Sequence, residues 1–358
     1  MIRVATSVPR QFWTKVEKLD WLAKALLEHP CDLFCLPQEF WGGGSTRYIC
    51  EQRGIHTDDA PVTESWLKEN LGPLCQMHGV HLGVGASVER NGDVTEDYLY
   101  FDSDGELVGY HSKIALPVQD SIVLGGASGI TPQTDYAAAV RVIELPKLGI
   151  RVGTVFCWQV FFVDFWNDLM QQGCSLVVHP IKFAPRAWYK KSQNAVGAHV
   201  RTGFTQNPGS DNPDDDALGW IRKLKFESEF KQLPIAVTCN TWDGGEKFLA
   251  LEGWVEELTG KTNLHHLPST ADTDVVTVTE YEPSLYEALS NLNDGDYGKF
   301  KGIWAHLASK TMARKAIRIE RKTKDGKAVS KLDAYQRKLE VAATRSNATL
   351  DALFEAQE

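Results

Sequence analysis

Three polar residues each follow a short apolar segment and carry side chains that could act together in acyl transfer. Glu39, Lys113 and Cys157 follow the segments CDLFCLP, ELVGYHS and RVGTVF, respectively. A thiol at a strand-to-helix corner is open to a substrate, and the backbone N–H groups that follow it favour the thiolate. A carboxylate beside apolar Phe40 and Trp41 can act as a general base, and a buried ammonium can stabilise an oxyanion. Each residue alone fits an ordinary structural role equally well.

The surrounding sequence predicts the elements that would position these residues. Apolar residues at helical spacing in KVEKLDWLAKALLEH (Val16, Leu19, Leu22, Leu26) predict a helix. ESWLKENLGPLCQMHG and WQVFFVDFWNDLMQQG predict two more helices, ended by Gly79 and Gly173. Strand-like segments alternate with these helices, and DSDG at 102–105 predicts a hairpin. This irregular alternation indicates a layered α/β protein, with loops predicted at 205–219 and 258–274.

The composition is that of an ordinary globular protein. The chain has 358 residues, 43% apolar and 24% charged, enough for one large domain or two ordinary ones. No apolar run approaches the roughly 18 residues that span a bilayer, and the N-terminal segment lacks the apolar centre of a signal peptide. The seven cysteines are odd in number, and several lie in apolar segments, as is typical of reduced thiols. We therefore expect a cytoplasmic protein without a disulfide framework or a structural zinc site.

The charge is unevenly distributed along the chain. Residues 299–358 hold 14 basic and 7 acidic residues, whereas residues 1–298 hold 24 and 40, so the local balances are +7 and −16. A basic C-terminal segment can contact nucleic acid or a protein partner. Because its basic residues are interspersed with acidic and apolar ones, we favour a solvated helix over a nucleic-acid contact.

The order and context of Glu39, Lys113 and Cys157 resemble the nitrilase superfamily of carbon–nitrogen hydrolases over about residues 2–282. DLFCLPQEFWGG resembles the family's apolar run, Pro and Glu, and GELVGYHSKIALP is similar to its Gly-x-Tyr-x-Lys-x-x-Leu-Pro segment. VGTVFCWQVFFVDFWNDLMQQGCSLVVHP resembles the nucleophile strand, Cys, helix, Gly and next strand, with Asp164 and Gly173 at matching positions. CNTWDGG loosely resembles a later Asn-x-x-Gly strand end. The Gln-Glu-aromatic and Cys-Trp sequences are nearest to the N-carbamoylputrescine amidase branch, and the Cys-Trp pair also resembles true nitrilases.

This resemblance implies a fold, a site and a mechanism. The fold would be an α/β, nitrilase-type αββα sandwich over residues 1–282, formed within one subunit or by two, with a basic, helical C-terminal extension at 283–358. Glu39 would be the general base, Lys113 the oxyanion stabiliser and Cys157 the nucleophile that forms a thioester. The resemblance implies no metal or organic cofactor, a small-molecule substrate, and a homo-oligomer that is a dimer or larger.

Six further residues are candidates for substrate contacts: Trp41, Asp120, Trp158, Gln159, His179 and Lys182. The two tryptophans adjoin the catalytic residues and could form an aromatic pocket wall. Gln159 stands where the resembling branches carry an acid, and Asp120 is the acid nearest to the family's second Glu. His179 fits either a pocket lining or a packed, hydrogen-bonded histidine. Lys182 follows the strand after the nucleophile helix.

Three functions are compatible with these residues. The first is hydrolysis of a small amide or N-carbamoyl amine, which we expect, and the second is a true nitrilase. The third is a catalytically inactive binding or regulatory protein that keeps the fold. Gln159 and the lack of an evident second Glu after Lys113 favour the inactive protein, whereas the intact set of Glu39, Lys113 and Cys157 argues against it.

Overall fold

The computed structural model describes residues 1–12, 14–42, 54, 56–114, 140–161, 163–182, 220–221, 223–228, 231, 233–240, 248–257, 260–269 and 272–283. All of them belong to the first of two compact units, Met1–Glu287, and the second unit is Ala288–Glu358. The predicted loop at 205–219 and the predicted helical extension beyond residue 283 lie outside the described residues. In the described part, no helix combines the length and the hydropathy needed to cross a bilayer.

The described residues form twelve strands in two mixed sheets. The strands are β1 (Ile2–Val8), β2 (Leu33–Cys35), β3 (His81–Arg90), β4 (Asp93–Phe101), β5 (Leu107–Ser112), β6 (Ile143–Leu145), β7 (Ile150–Thr154), β8 (Leu176–Lys182), β9 (Ile235–Asn240), β10 (Phe248–Val255), β11 (Asn263–Ser269) and β12 (Val275–Tyr281). Sheet A has the order β12-β1-β2-β3-β4-β5, and sheet B has the order β11-β10-β9-β8-β7-β6.

Strand direction brings several carboxyl ends to the same edge of the two sheets. In sheet A, β1, β2 and β3 are parallel, and β5 runs the same way because β4 is antiparallel to both of its neighbours. In sheet B, β7, β8 and β9 are parallel. The Thr238 hydroxyl at the end of β9 lies 2.7 Å from the Ser7 carbonyl and 3.2 Å from the Cys35 carbonyl. The carboxyl ends of strands from both sheets therefore meet at one edge.

Three helices have both ends within the described residues: α1 (Lys15–Glu28), α2 (Glu64–His78) and α3 (Val163–Gln171). Residues 220–221 and 223–228 are also helical. Thr14 and Glu17 form a capping box at the start of α1, and the Thr63 side chain accepts a hydrogen bond from the Trp66 N–H at the start of α2. Gly79 ends α2 in the left-handed conformation, with a φ of 62°. These contacts satisfy backbone groups that the helix ends would otherwise leave unpaired.

Apolar side chains fill three layers of the described structure. The layer between sheet A and helices α1 and α2 includes Leu22, Leu71 and Leu82; the layer between the sheets includes Val4, Tyr98 and Val178; the layer between sheet B and α3 includes Trp166, Leu169 and Val177. The order of layers is helix, sheet, sheet and helix within one chain. It confirms the predicted αββα sandwich and its formation within one subunit.

The structure differs from two sequence predictions. The segment 258–274 was predicted as a loop, but it contains β11, an edge strand paired along its length with β10. Its polar composition and Pro268 suit an edge strand, which uses only one side of its backbone for pairing. The predicted nucleophile helix is divided into a short 3-10 turn, Cys157–Phe161, and α3. The 3-10 turn begins at the predicted nucleophile.

Candidate active site

Glu39 lies in the segment that leaves β2 and crosses the end of sheet A. The Trp41 N–H donates to the Gly85 carbonyl of β3 at 3.1 Å, which holds this segment on the sheet. The close approach needs a glycine, because a Cβ at residue 85 would lie 2.2 Å from the Pro37 carbonyl oxygen. The segment places Glu39 inside the protein, where only 3% of it is exposed.

Cys157 begins the 3-10 turn that follows β7. Gln159 closes this turn, since its N–H donates to the Phe156 carbonyl at 2.6 Å and its side-chain oxygen accepts from the Phe156 N–H at 3.2 Å. The turn leaves Cys157 half-buried. The thiol lies 3.6 Å from the Lys182 carbonyl oxygen, to which it donates.

Glu39 and Cys157 share a backbone conformation that residues other than glycine rarely adopt. Their φ angles are 51° and 32°. Among the described non-glycine residues, the one other positive φ belongs to Asn91, in a tight Asn-Gly turn between β3 and β4. Strained backbone of this kind persists when the surroundings fix it and is concentrated at functional sites. Both residues were selected from the sequence without reference to their backbone conformation.

Lys113 follows β5 and pairs with Glu96 of β4. Its ammonium lies 3.0 Å from the Glu96 carboxylate, and both side chains are fully buried. Glu96 shares its strand face with Tyr98 and Tyr100, which pack between the sheets. The pair therefore faces the space between the sheets, where each charge offsets the desolvation of the other.

Lys182 and Asn240 connect the two sheets beside Glu39. Lys182 ends β8, and its ammonium forms an ion pair with the Glu39 carboxylate; the two side chains are 8% and 2% exposed. Asn240 ends β9 and donates a hydrogen bond from its side-chain amide to the Gln38 carbonyl. Both contacts fasten the Glu39 segment of sheet A to the strand ends of sheet B.

This arrangement has the groups that acyl transfer requires. Lys182 contacts the Cys157 thiol through its carbonyl oxygen and Glu39 through its ammonium, and Lys113 extends from the same edge of the sheets. A thiol, a carboxyl group and an ammonium in a setting largely shielded from water can attack a carbonyl carbon and stabilise the resulting oxyanion. Within the described residues, no three His, Cys, Asp or Glu side chains are grouped as metal ligands.

Cys157 differs from the other described cysteines, which are Cys31, Cys35, Cys75, Cys174 and Cys239. These five are buried, and all six are free of disulfides, in keeping with the predicted reduced thiols. Burial raises the pKa of the Cys31, Cys75 and Cys174 thiols to about 12. Such thiols stay protonated at neutral pH, so the half-buried Cys157 is the described cysteine best placed to react as a thiolate.

Two of the candidate substrate-contact residues have the contacts of packed side chains. Trp41 is fully buried, and its ring lies 4.9 Å from that of Phe40 and 5.2 Å from that of Trp66. His179 lies on the face of β8 opposite to Lys182 and stacks on Trp220 at 5.6 Å. Burial lowers the pKa of His179 to about 4, so its imidazole is neutral at pH 7.

The remaining candidates divide between the turn and the residues that are not described. Gln159 braces the turn of Cys157 through its contacts with the Phe156 backbone. Asp120 and the side chain of Trp158 lie outside the described residues. Lys182 contacts both the predicted base and the predicted nucleophile.

Glu96 was not selected from the sequence, although a signal for it is present. It alternates with Tyr98 and Tyr100 in EDYLYF, and residues at this spacing share one face of a strand. A carboxylate on the face that carries two buried tyrosines needs a cationic partner or a proton. Lys113, 17 residues later, is the partner.

The comparisons with known proteins agree with this architecture. Residues 2–197 match the carbon–nitrogen hydrolase family. A carbon–nitrogen hydrolase from Helicobacter pylori G27 has a similar structure, with a TM-score of 0.55 and 15% identity over 81% of this chain and 92% of that one. Nit3 of Saccharomyces cerevisiae, a member of branch 10 of the nitrilase superfamily, has a TM-score of 0.54 and 15% identity over 81% and 93%.

An amidase from Nesterenkonia sp. AN1 is also similar, with a TM-score of 0.52 and 16% identity over 79% of this chain and 94% of that one. At these identities the structural likeness shows the fold. No functionally curated protein matched the sequence significantly. The family match covers more than half of the chain, and together with the αββα fold it shows that the protein belongs to the carbon–nitrogen hydrolase family.

Proposed function

We propose that the protein hydrolyses a small amide or N-carbamoyl amine through a thioester on Cys157. One observation carries the proposal: a half-buried thiol on a strained turn shares Lys182 with a buried, ion-paired Glu39. The pairing with an ammonium supports an ionised Glu39, which is the form that can accept a proton.

In the first half of the reaction, Glu39 accepts the proton of the Cys157 thiol, and the sulfur attacks the substrate's carbonyl carbon. The carbonyl π electrons move to oxygen, and the Lys113 ammonium and the Trp158 backbone N–H stabilise the resulting oxyanion. Glu39 then gives its proton to the departing nitrogen as the carbon–nitrogen bond breaks. Ammonia or an amine leaves, and an acyl or carbamoyl thioester remains.

In the second half, Glu39 accepts a proton from water, and the resulting hydroxide attacks the thioester carbon. The carbon–sulfur bond breaks, and the sulfur leaves as the thiolate or takes the proton held by Glu39. The free Cys157 returns with a carboxylic acid or a carbamic acid as the product. The buried pair of Lys113 and Glu96 supports this scheme, because an ammonium held by its own carboxylate needs no reorganisation when the oxyanion forms.

The comparisons favour an amide over other small substrates. In one structure of the Nesterenkonia amidase, the acetamide moiety of fluoroacetamide is covalently attached at the active site cysteine. In another, acrylamide has added to that cysteine by Michael addition. If Cys157 occupies the equivalent place, fluoroacetamide and acrylamide are suitable first probes of this chain.

Two other functions remain as alternatives that the same measurement separates. A true nitrilase would convert a nitrile and two waters into a carboxylic acid and ammonia. An inactive protein of this fold would release nothing, whichever small molecule it bound. The intact Glu39, Lys113 and Cys157 favour an active enzyme.

The test is the product stoichiometry of the full chain with a panel of small amides, N-carbamoyl amines and nitriles. An amide should give one ammonia for each carboxylic acid, and an N-carbamoyl amine should give ammonia, carbon dioxide and the free amine in equal amounts. Cys157→Ala should abolish release, and Cys174→Ala, which removes a buried thiol, should not. Turnover of nitriles alone would establish the nitrilase alternative, and equal release by wild type and Cys157→Ala would refute the proposal.

A further inference from the structure

Lys182 contacts two groups that the proposed reaction needs, the base and the nucleophile. Its ammonium pairs with Glu39, and its carbonyl oxygen accepts from the Cys157 thiol at 3.6 Å. Lys182 is itself largely buried, with 8% of its side chain exposed. Burying an ammonium is unfavourable unless a carboxylate balances its charge, so Lys182 and Glu39 depend on each other.

The strand ends around Lys182 fix where its ammonium can reach. Lys182 lies opposite Asn240 in the parallel pairing of β8 and β9. The Asn240 side chain binds the Gln38 carbonyl, one residue before Glu39. The base is therefore tied to sheet B twice, by a hydrogen bond to its segment and by an ion pair to its carboxylate.

The other described titratable groups at this edge also have partners. Lys113 pairs with Glu96 at 3.0 Å, so the described part of the edge holds a second ion pair of a lysine and a glutamate. His179 of β8 is neutral and packed on the opposite face of the strand. Cys157 is the nucleophile itself.

We propose that Lys182 is a positioning residue that holds Glu39 ionised and directed at Cys157, and that it thereby sets the acid limb of the enzyme's pH profile. This inference rests on the proposed role of Glu39 as base. An opposite charge within about 4–6 Å lowers the pKa of a carboxyl by about 1–3 units. Without the ammonium, the buried Glu39 takes up a proton at a higher pH and loses its capacity to accept the thiol proton.

The experiment is the pH dependence of Cys157 alkylation by iodoacetamide, read by intact mass and peptide mapping on the full chain. Lys182→Met should shift the acid limb of the alkylation rate profile to higher pH by at least one pH unit. At a given pH on that limb, the variant should react about tenfold more slowly than wild type. Lys182→Arg keeps the charge, so its acid limb should lie close to that of wild type. In a Glu39→Gln background, Lys182→Met should add no further change, because its effect acts through Glu39.

Lys18→Met is the matched control. Lys18 also forms a buried ion pair, with Asp59 at 2.6 Å, but it lies on α1 on the outer side of sheet A. This variant should keep the wild-type limb even if it lowers the melting temperature. If Lys182→Met fails to fold, Lys182→Gln, which keeps a hydrogen-bond donor without the charge, is measured instead.

Two results would overturn the inference. One is that folded Lys182→Met has its acid limb at the same pH as wild type. The other is that the acid limb of Lys182→Arg is shifted as far as that of Lys182→Met. Alkylation needs no turnover, so the failure of the inference is separate from that of the proposed function. If the acid limb shifts but no amide is hydrolysed, the role of Lys182 is supported and the proposed hydrolase function is not. If amides are hydrolysed but the limb does not shift, only the hydrolase function is supported.

Discussion

Two sets of buried glutamates among the described residues differ in their partners: Glu39 and Glu96 at the edge that carries Cys157, and Glu252 beside β10 and β12. At the Cys157 edge, Glu39 pairs with Lys182 and Glu96 pairs with Lys113. In the second region, Glu252 has hydroxyl neighbours, accepting from Thr6 and, at 3.0 Å, from Thr277. Burial raises the pKa of Glu252 to about 7 despite these two hydrogen bonds.

The difference shows how one buried residue type can serve two purposes. Burial without a cationic partner allows a glutamate to hold its proton even when hydroxyl groups donate to it, which is suitable for a structural link between strands. An ammonium partner favours the carboxylate, which is the form that a general base requires. The comparison predicts that substituting each glutamate by glutamine, which mimics the neutral acid, will have different effects in the two regions.

The largest effect is expected at Glu39. Glu39→Gln keeps the size of the side chain but removes the proton acceptor, so kcat/KM should fall by about 10²–10⁴. The measurement is ammonia release under substrate-limiting conditions. Glu252→Gln is the matched control and should retain wild-type kcat/KM. Equal losses in the two variants would break the distinction between the regions.

A smaller effect on rate, with a larger effect on stability, is expected at Glu96. Glu96→Gln leaves the Lys113 ammonium buried without its counter-charge, which should lower the free energy of unfolding by about 3 kcal/mol. We expect kcat to fall about tenfold to a hundredfold, because the ammonium is retained but less well positioned. Urea unfolding and steady-state kinetics measure the two quantities.

The double variant Glu96→Gln with Lys113→Met sharpens this test. Removing both charges should recover stability relative to Glu96→Gln alone, but activity should fall further because the oxyanion stabiliser is lost. Recovered activity in the double variant would contradict the role of Lys113.

The smallest effect on rate is expected at Glu252, where we expect no change in kcat/KM and only a pH-dependent change in stability. The folded-state pKa of about 7 lies above the ordinary value of 4.5, so the native protein binds this proton more tightly than the unfolded chain does. The resulting stability is fully present below pH 4.5 and is lost as the pH rises to about 7, in total about 3 kcal/mol. Glu252→Gln has no such proton to lose, so its free energy of unfolding relative to wild type should increase between pH 4.5 and 8, as measured by urea unfolding. A constant difference across that range would show that Glu252 is ionised in the native protein.

Much of the site could be predicted from sequence because its parts are local. Cys157 is identified by a strand before it and a helix after it, and Glu39 and Lys113 by the apolar segments that precede them. The parallel strands place these chain positions at one edge without further information. Local patterns therefore predicted a layered α/β protein, and the resemblance of three short segments to the nitrilase superfamily added the αββα sandwich and the three proposed catalytic residues.

The contacts that connect these parts could not be predicted in the same way. Lys182 and Glu39 lie 143 positions apart and belong to different sheets, so their pairing depends on how the sheets stack. The strand β11 depends on β10, which supplies all of its described pairing partners. The sequence places both His179 and Lys182 near the end of a strand and does not show which face each one occupies. In the structure, Lys182 is on the face of β8 that packs on sheet A, and His179 is on the opposite face.

The most direct test of the central claim is a mass measurement of Cys157 during turnover. The full chain is mixed with the best substrate of the panel, quenched with acid at intervals and mapped by peptide mass. We expect an acyl or carbamoyl group on Cys157 that decays as product forms and is missing from Cys157→Ala. Turnover at the wild-type rate by Cys157→Ala, or an acyl group on another residue that decays at the turnover rate, would contradict it.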